Sequence, residues 1–298
     1  MQTPPVCNYE GSDYQTSFWD QGGRAYEDAA EALALKKLLP PSGMHLLELG
    51  AGAGRNTPRY SGYHQVTLLD YSHTQLEQAR DRLGDSIRYR FVAADIYHLP
   101  FMPGIFDGAT LIRTLHHMAD APAALAQVNR VLQPGGVFIL EFANKRNLKA
   151  MLRYFLRRQS WSPYTLEPVE FAPLNFDFHP RAVLAWLNSL DFSVEKILTV
   201  SHFRMGFLKR TFSPSFLVSV ENLIQWTGRF WQLSPSVFLR ARASAEQKPA
   251  GSTAFFACPA CQTPLHDTPP QILCPNCGRT YPVANGIYDF RLHPDEEQ

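Results

Sequence analysis

Long apolar runs are missing from this 298-residue chain. No stretch approaches the roughly 18 consecutive apolar residues that a membrane-spanning helix requires. The opening residues, MQTPPVCNYEGSDYQTSFW, lack a basic segment followed by an apolar one, so no secretory leader is read there. A soluble, cytoplasmic protein without a transmembrane segment is expected. Charge of one sign is equally scarce: 28 Lys and Arg against 27 Asp and Glu leave a net charge of +1. No global field therefore favours nucleic acid or an acidic surface, and any such partner must be met by a local patch. Cysteine is sparse too, and four of the five fall within residues 258–277, which opposes a secreted disulfide framework and suits a metal site in a reducing compartment. Cys7 stands apart and receives no role. With 45% hydrophobic and 18% charged residues, the chain holds enough apolar material for one large core or two smaller ones, and disorder, collagen and coiled coil are excluded.

Residues 26–39 place apolar side chains at helical spacing, and Pro40-Pro41-Ser42-Gly43 ends them. Four β-type runs then alternate with helical patterns: HLLEL (45–49), QVTLLD (65–70), IRYRFVAA (87–94) and FDGATLI (106–112). A fifth, GGVFILEF (135–142), follows a helix over Ala121–Leu132. Such alternation predicts right-handed βαβ crossovers, a mostly parallel sheet and helices on both faces, a doubly wound α/β, Rossmann-like domain. Residues 144–180 break the pattern, with a basic helix candidate (NKRNLKAMLRYFLRR) and an aromatic, proline-punctuated stretch without strand alternation, which reads as a helical and aromatic cap. A helix over Arg181–Ser189, a strand near Phe192–Val200, a helix near Ser215–Trp226 and a strand near Val237–Ala243 would complete seven strands. The first domain is thus drawn over 1–243, a polar linker over 244–254 and a separate small module over 255–291.

Strand HLLEL runs into Gly50-Ala51-Gly52-Ala53-Gly54-Arg55 and then a helix. Three glycines allow a tight turn that brings a ligand against main-chain N–H groups. A dinucleotide fingerprint would need its third glycine at position 55, which is Arg55, so nicotinamide binding loses ground. Asp70 ends the second strand, where a carboxylate can accept from both ribose hydroxyls of an adenosine-containing ligand. Asp95 ends the third strand and is placed to accept from an adenine amino group, with Ile96 and Leu49 as apolar walls. The bland alternative for each acid is a solvated strand-end carboxylate or helix cap.

These residues resemble the class I S-adenosylmethionine-dependent methyltransferases over roughly 45–142, through LLELGAGAGRNT, VTLLDYSHTQLEQAR, VAADIYHLPF, FDGATLIRTLHHMAD and ALAQVNRVLQPGGVFILEF in that order. LHH and RVLxPGG are similar to the small-molecule branch that includes quinone-biosynthesis enzymes. The resemblance implies S-adenosylmethionine as cofactor. Glu48, Gly50, Ala51, Gly52 and Gly54 would border its methionine part, Asp70 and the adjoining Tyr71 its ribose, and Asp95 and Ile96 its adenine. Methyl transfer from a sulfonium needs positioning and water exclusion, and a base only where the acceptor must lose a proton. His116 and His117 are the candidate bases, with Tyr14 and His179 as flanking ones; a histidine at a strand end is as readily a hydrogen-bonded wall. Thr114-Leu115-His116-His117 stands where an NPPY or DPPY motif would orient an amino nucleophile, which favours a small-molecule methyl acceptor. Trp161, Tyr164, Phe171, Phe176 and Phe178 either wall an apolar substrate or form a satellite core. Lys145, Arg146, Lys149, Arg153, Arg157 and Arg158, unaccompanied by acids in 144–158, either form a solvated face or meet RNA, a phosphorylated substrate or anionic lipid.

Cys258-Pro-Ala-Cys261 and Cys274-Pro-Asn-Cys277 are two knuckles whose four thiolates can close a tetrahedral Zn2+ site, a structural one. The continuation CGRTYPVANGIYDFR is similar to the zinc-ribbon proteins that activate tRNA and release-factor methyltransferases. That likeness implies a module that packs on the catalytic domain or docks a protein or RNA partner, and it opens two rival readings. One is methylation of tRNA or a translation protein, and the other is a non-catalytic adaptor that keeps the cofactor fold.

Overall fold

The computed structural model describes residues 4–13, 15–245 and 254–292. Helix α1 (Ala25–Leu38) precedes β1 (Gly43–Leu49), β2 (Tyr63–Asp70), α2 (His73–Leu83), β3 (Tyr89–Ala93), β4 (Phe106–Leu111), α3 (Ala121–Val131) and β5 (Leu132–Ala143). The excursion that follows holds α4 (Leu148–Phe155) and a hairpin of β6 (Val169–Ala172) and β7 (Asn175–Asp177). Next come α5 (Pro180–Ser189), β8 (Phe192–Val200), α6 (Gly206–Thr211), α7 (Pro214–Ile224) and β9 (Ser236–Ala243). The C-terminal segment adds β10 (Phe256–Ala257), β11 (Pro264–Leu265), β12 (Gln271–Leu273), β13 (Thr280–Ala284) and β14 (Ile287–Asp289).

Strands β3-β2-β1-β4-β5 are parallel and β9 and β8 close the far edge antiparallel. Chain order reverses between β1 and β4, the switch point at which an open α/β sheet leaves a crevice beyond its strand ends. Burial explains the strands: the ends of β1, β2 and β4 are buried on both faces and mostly apolar, because helices cover both. Ser72 caps α2 by accepting from the Gln75 N–H at 3.3 Å.

The sheet does not stop at seven strands. β14 pairs in parallel with β3 (Ile287 beside Phe91, Asp289 beside Ala93), and β13 and β12 follow it antiparallel, giving ten strands in the order β12-β13-β14-β3-β2-β1-β4-β5-β9-β8. Phe101, Phe106, Phe256 and Phe290 are buried together, and the same apolar cluster runs from Leu47 and Leu111 to Cys258, Cys274 and Tyr281. Residues 255–291, expected as a separate module, therefore share a core with the larger sheet. Of the linker drawn over 244–254, residues 246–253 lie outside the described residues.

The cap differs from its expectation in two respects. It contains a short hairpin, and α4 is only eight residues long, capped by Asn147 through the Ala150 N–H at 2.9 Å. Lys145 is fully buried and donates to Thr165 Oγ1 at 2.9 Å and the Glu167 carbonyl at 2.6 Å, so it anchors the excursion and belongs to no solvated stripe. Of the aromatics, Phe178 packs in the core against Trp186, while Tyr164 and Phe171 are exposed. None of the five lines the cleft described below.

Candidate active site and metal centre

The crevice beyond β1, β2 and β4 is lined by Glu48, Gly50, Ala51, Gly52, Asp70, Tyr71, Ile96, Thr114 and His117. Gly50 has φ +65°, and a Cβ there would stand 2.1 Å from Thr114 Oγ1, so both the left-handed turn and the close approach of the segment after β4 require glycine. Asp70 accepts from the Gly52 N–H at 2.8 Å and the Ser72 N–H at 3.0 Å, one bond to each oxygen. Each oxygen keeps a lone pair, which is what two ribose hydroxyls would need. Burial raises the Asp70 carboxyl, against the backbone bonds that lower it.

Glu48 is buried under the glycine turn, accepting from Thr57 Oγ1 at 2.5 Å and from the Tyr60 hydroxyl at 3.2 Å. Burial pushes its carboxyl up to about 7. The native chain thus holds a proton that an unfolded chain releases above about pH 4.3, so this group's contribution to stability is present at low pH and is lost as pH rises towards and through 7. Glu48→Gln should remove that slope. Relative to wild type, the variant gains up to about 3 kcal/mol between pH 5 and pH 8 in paired denaturant titrations, whereas parallel curves would show that Glu48 is ionised throughout.

Of the two candidate bases, only His117 lines the cleft. Its Nδ1 lies 3.0 Å from the Leu174 carbonyl, at the tip of the β6–β7 hairpin, and its Nε2 lies 3.2 Å from the Tyr9 hydroxyl. A carbonyl only accepts, so Nδ1 carries the proton and Nε2 accepts from Tyr9. Burial lowers the His117 pKa, keeping the ring neutral near pH 7. His116 packs on it with ring centroids 4.0 Å apart but does not line the cleft; burial, then His117, Arg113 and Arg204, hold its pKa well below the usual value. His179 is spent on capping α5, accepting from the Arg181 N–H at 3.1 Å. Tyr14 lies outside the described residues.

Asp95 also has local duties: it accepts from the Tyr97 N–H at 2.9 Å and pairs with His98 Nδ1 at 3.2 Å. Ile96 lines the cleft, and Asp95 does not. The apolar wall expected from Leu49 is supplied by Leu69, because Leu49 faces the core. Gly54 stands behind the turn, its position packed against Leu83 and Ala79.

Sequence reasoning missed the near side of the site, where Val6, Cys7, Tyr9, Gln15 and Trp19 close the cleft. Trp19 lies under the Arg55 guanidinium, 3.6 Å from the ring centroid. Arg55 and Arg113 both bind the fully buried Glu31, Arg55 Nη2 at 2.7 Å and Arg113 Nε at 2.7 Å. Arg113 holds φ 60°, a strained conformation for a non-glycine residue, while its N–H donates to Glu141 at 2.9 Å. The available signal was the aromatic content of the opening segment, with Tyr9, Tyr14, Phe18 and Trp19 within eleven residues. Beside His116 lies Arg204, whose Nε and Nη2 are buried without a hydrogen-bond partner among the described residues; burial and then Arg113 hold it down to about 10. Asp177 of β7 faces it, its carboxyl pushed up to about 6 by burial.

At the other end, the sulfur atoms of Cys258, Cys261, Cys274 and Cys277 all lie within 4.8 Å of one another. Cys258 and Cys277 are 3.6 Å apart and Cys261 and Cys274 3.5 Å, too far for a disulfide at about 2.05 Å and close to the spacing of thiolates about 2.3 Å from one ion. Four soft donors with no further position suit a structural zinc. Met102 N–H donates to the Phe255 carbonyl at 3.1 Å and Phe290 N–H to the Ala93 carbonyl at 2.8 Å, tying this centre to β3 and the loop after it. Arg291 continues the link to the cleft, reaching Glu10 at 3.3 Å and the Tyr71 carbonyl at 3.4 Å.

A reversed sheet, a glycine turn beneath an acid-ended β2 and a cleft at the switch point define a methyltransferase-type domain, and residues 47–140 match the family described as methyltransferase domain. Residues 253–286 match the Trm112p-like proteins, so the chain carries a class I methyltransferase domain followed by a Trm112-like zinc ribbon. Curated relatives include the O-methyltransferase cnsE of Penicillium expansum, 38% identical over 109 residues, covering 35% of this chain and 40% of the relative. A demethylmenaquinone methyltransferase of Clavibacter sepedonicus is 30% identical over 154 residues, covering 51% and 62%. This chain thus spans 40% and 62% of those two relatives' own lengths. Among solved structures, the complex between the Haloferax volcanii Trm112 methyltransferase activator and a methyltransferase aligns with TM-score 0.56 at 15% identity, over 78% of this chain and 96% of that one. An S-adenosylmethionine-dependent methyltransferase from Listeria monocytogenes gives 0.53 at 15%, over 74% and 99%. These two share the fold.

Proposed function

We propose that the chain transfers a methyl group from S-adenosylmethionine to a small, partly apolar acceptor bearing an acidic hydroxyl or carbon, with the zinc as a structural element. The observation that carries this reading is the neutral His117, whose Nε2 accepts from the Tyr9 hydroxyl on the wall of the same cleft that holds Asp70 and the glycine turn. When bound, the cofactor supplies an electrophilic methyl on a positively charged sulfur. Gly50 and Gly52 leave room for it, Asp70 takes the ribose hydroxyls, and Ile96 with Leu69 walls the base. Tyr9 and Trp19 exclude water from above, which strengthens every charge interaction inside.

The Tyr9 oxygen can take the acceptor's proton as its own passes to His117 Nε2, and the Leu174 carbonyl steadies the resulting imidazolium. The names of the relatives, O-methyltransferases and quinone-pathway C-methyltransferases, agree with hydroxylated aromatic acceptors. The Trm112-like segment favours a second reading, methylation of tRNA or a translation protein. Its position weighs against recruitment of a separate catalytic chain, because β14 already occupies the edge of β3 within the same molecule.

Calorimetric titration with S-adenosylmethionine, S-adenosylhomocysteine and NAD, followed by turnover on a panel of phenols and reduced quinones and on bulk tRNA, tests this. Micromolar binding of the first two with methylation of a small acceptor is expected. Binding with turnover only on tRNA would establish the second reading, and binding without any turnover would leave a non-catalytic adaptor.

A further inference from the structure

We propose that the face formed by residues 144–166 and 203–233 docks on the surface of an anionic lipid bilayer. All but four of the large apolar side chains exposed among the described residues lie in these two segments. In α4 the burial is inverted. Its one buried residue is Ala150, while Leu152 and Phe155 are 56% and 82% exposed, so the apolar stripe of the helix faces water. Trp226, Phe230 and Trp231 are likewise open, with Phe230 edge-to-face with Trp226 and tilted against Trp231. The two segments form one surface: the Leu148 N–H donates to the Leu233 carbonyl at 2.9 Å, and Asn144 Nδ2 donates to the Gln232 and Ser234 carbonyls.

Charge selects the partner. Residues 144–166 contain no acid, and the single acid of 203–233, Glu221, is buried against Tyr26 and His202. Every solvent-facing charge within these two segments is therefore positive, with the exposed Glu167 following directly after the first, on a chain whose net charge is only +1. Lys149, Arg153, Arg157 and Arg158 are exposed and interleave in sequence with the exposed apolar residues of 148–156, so cations can meet lipid phosphates while leucine and phenylalanine enter the acyl boundary and tryptophan sits at headgroup depth. A nucleic acid would use the cations and rings but leave the aliphatic side chains of Leu152 and Leu223 in water. No helix among the described residues is long and apolar enough to cross a membrane, so the contact is peripheral.

Sedimentation of the full zinc-loaded chain with vesicles of phosphatidylcholine, and with vesicles of equal parts phosphatidylcholine and phosphatidylglycerol, tests the proposal. Binding to the mixed vesicles and weak retention on the neutral ones are expected. The double variant Arg153→Glu/Arg157→Glu should weaken mixed-vesicle binding by roughly tenfold or more, and Phe155→Ser/Trp231→Ser should do the same at high salt, where the apolar contact dominates. All four positions are solvent-facing, and an unchanged melting temperature would confirm intact folding. Failure to sediment with either vesicle would overturn the proposal. So would stronger retention on bulk tRNA than on mixed vesicles, or a solution dimer that the same variants dissociate. None of these outcomes depends on whether a methyl acceptor is found.

Discussion

Cys274→Ser, or removal of metal from the wild-type chain with a chelator, is expected to destabilise the whole molecule in a single transition rather than to unfold a detached C-terminal module. Cys274 is buried in the same apolar cluster as Leu47 and Leu111, and it belongs with Cys258, one residue beyond the Phe256–Ala257 strand, to the four-cysteine cluster that can hold a metal. Losing the metal frees the two knuckles, and with them the ring stack of Phe256 and Phe290 that covers Phe101. Truncating one buried phenylalanine typically costs about 3–5 kcal/mol, and a domain holds about 5–15 kcal/mol in total. Detachment of several rings, with exposure of the β3 edge, therefore approaches the stability of the protein. Scanning calorimetry with and without chelator checks it. An unshifted main transition accompanied by a small early one would mean that the larger sheet stands without its C-terminal strands.

The parallel half of the sheet was legible because each of its strands is a short contiguous apolar run, and each is separated from the next by a helical period and a turn. The continuation through β14 was not. IYD is too short to show a period, and its partner Phe91 is nearly two hundred residues away in sequence, so nothing local marks the pairing. The cap hairpin was hidden for a related reason: Val169–Ala172 and Asn175–Asp177 are four- and three-residue strands in a proline-rich stretch. Lys145 was misplaced because composition reports charge without direction, and the buried ammonium finds its acceptors twenty residues on. In the site, Asp70 and the glycines were readable since strand, turn and helix fix their positions together. Which of His116 and His117 lines the cleft was not, because adjacent residues after a strand diverge by a turn geometry that only the Leu174 and Tyr9 partners reveal. The Glu31–Arg55–Arg113 network required three separate elements to meet, and spacing alone carries no trace of it.

Asp70→Ala should abolish measurable cofactor binding while leaving the metal centre loaded. Its carboxylate would accept two ribose hydroxyls, charge-assisted bonds of about 1.5–3 kcal/mol each, so their joint loss corresponds to roughly two to four orders of magnitude in affinity. The same deletion strands the Gly52 and Ser72 N–H groups that Asp70 now receives, loosening the glycine turn and α2. Asp70→Asn separates the two effects. An amide oxygen still accepts one backbone bond, so folding is largely retained, but the neutral group loses the charge assistance and presents a donor where an acceptor is needed. Titration calorimetry with S-adenosylhomocysteine, read beside a melting curve, distinguishes them: both variants lose affinity, and only the alanine loses appreciable stability. Wild-type affinity in a folded Asp70→Asn chain would place the ribose elsewhere and remove the support for the cleft as the cofactor site.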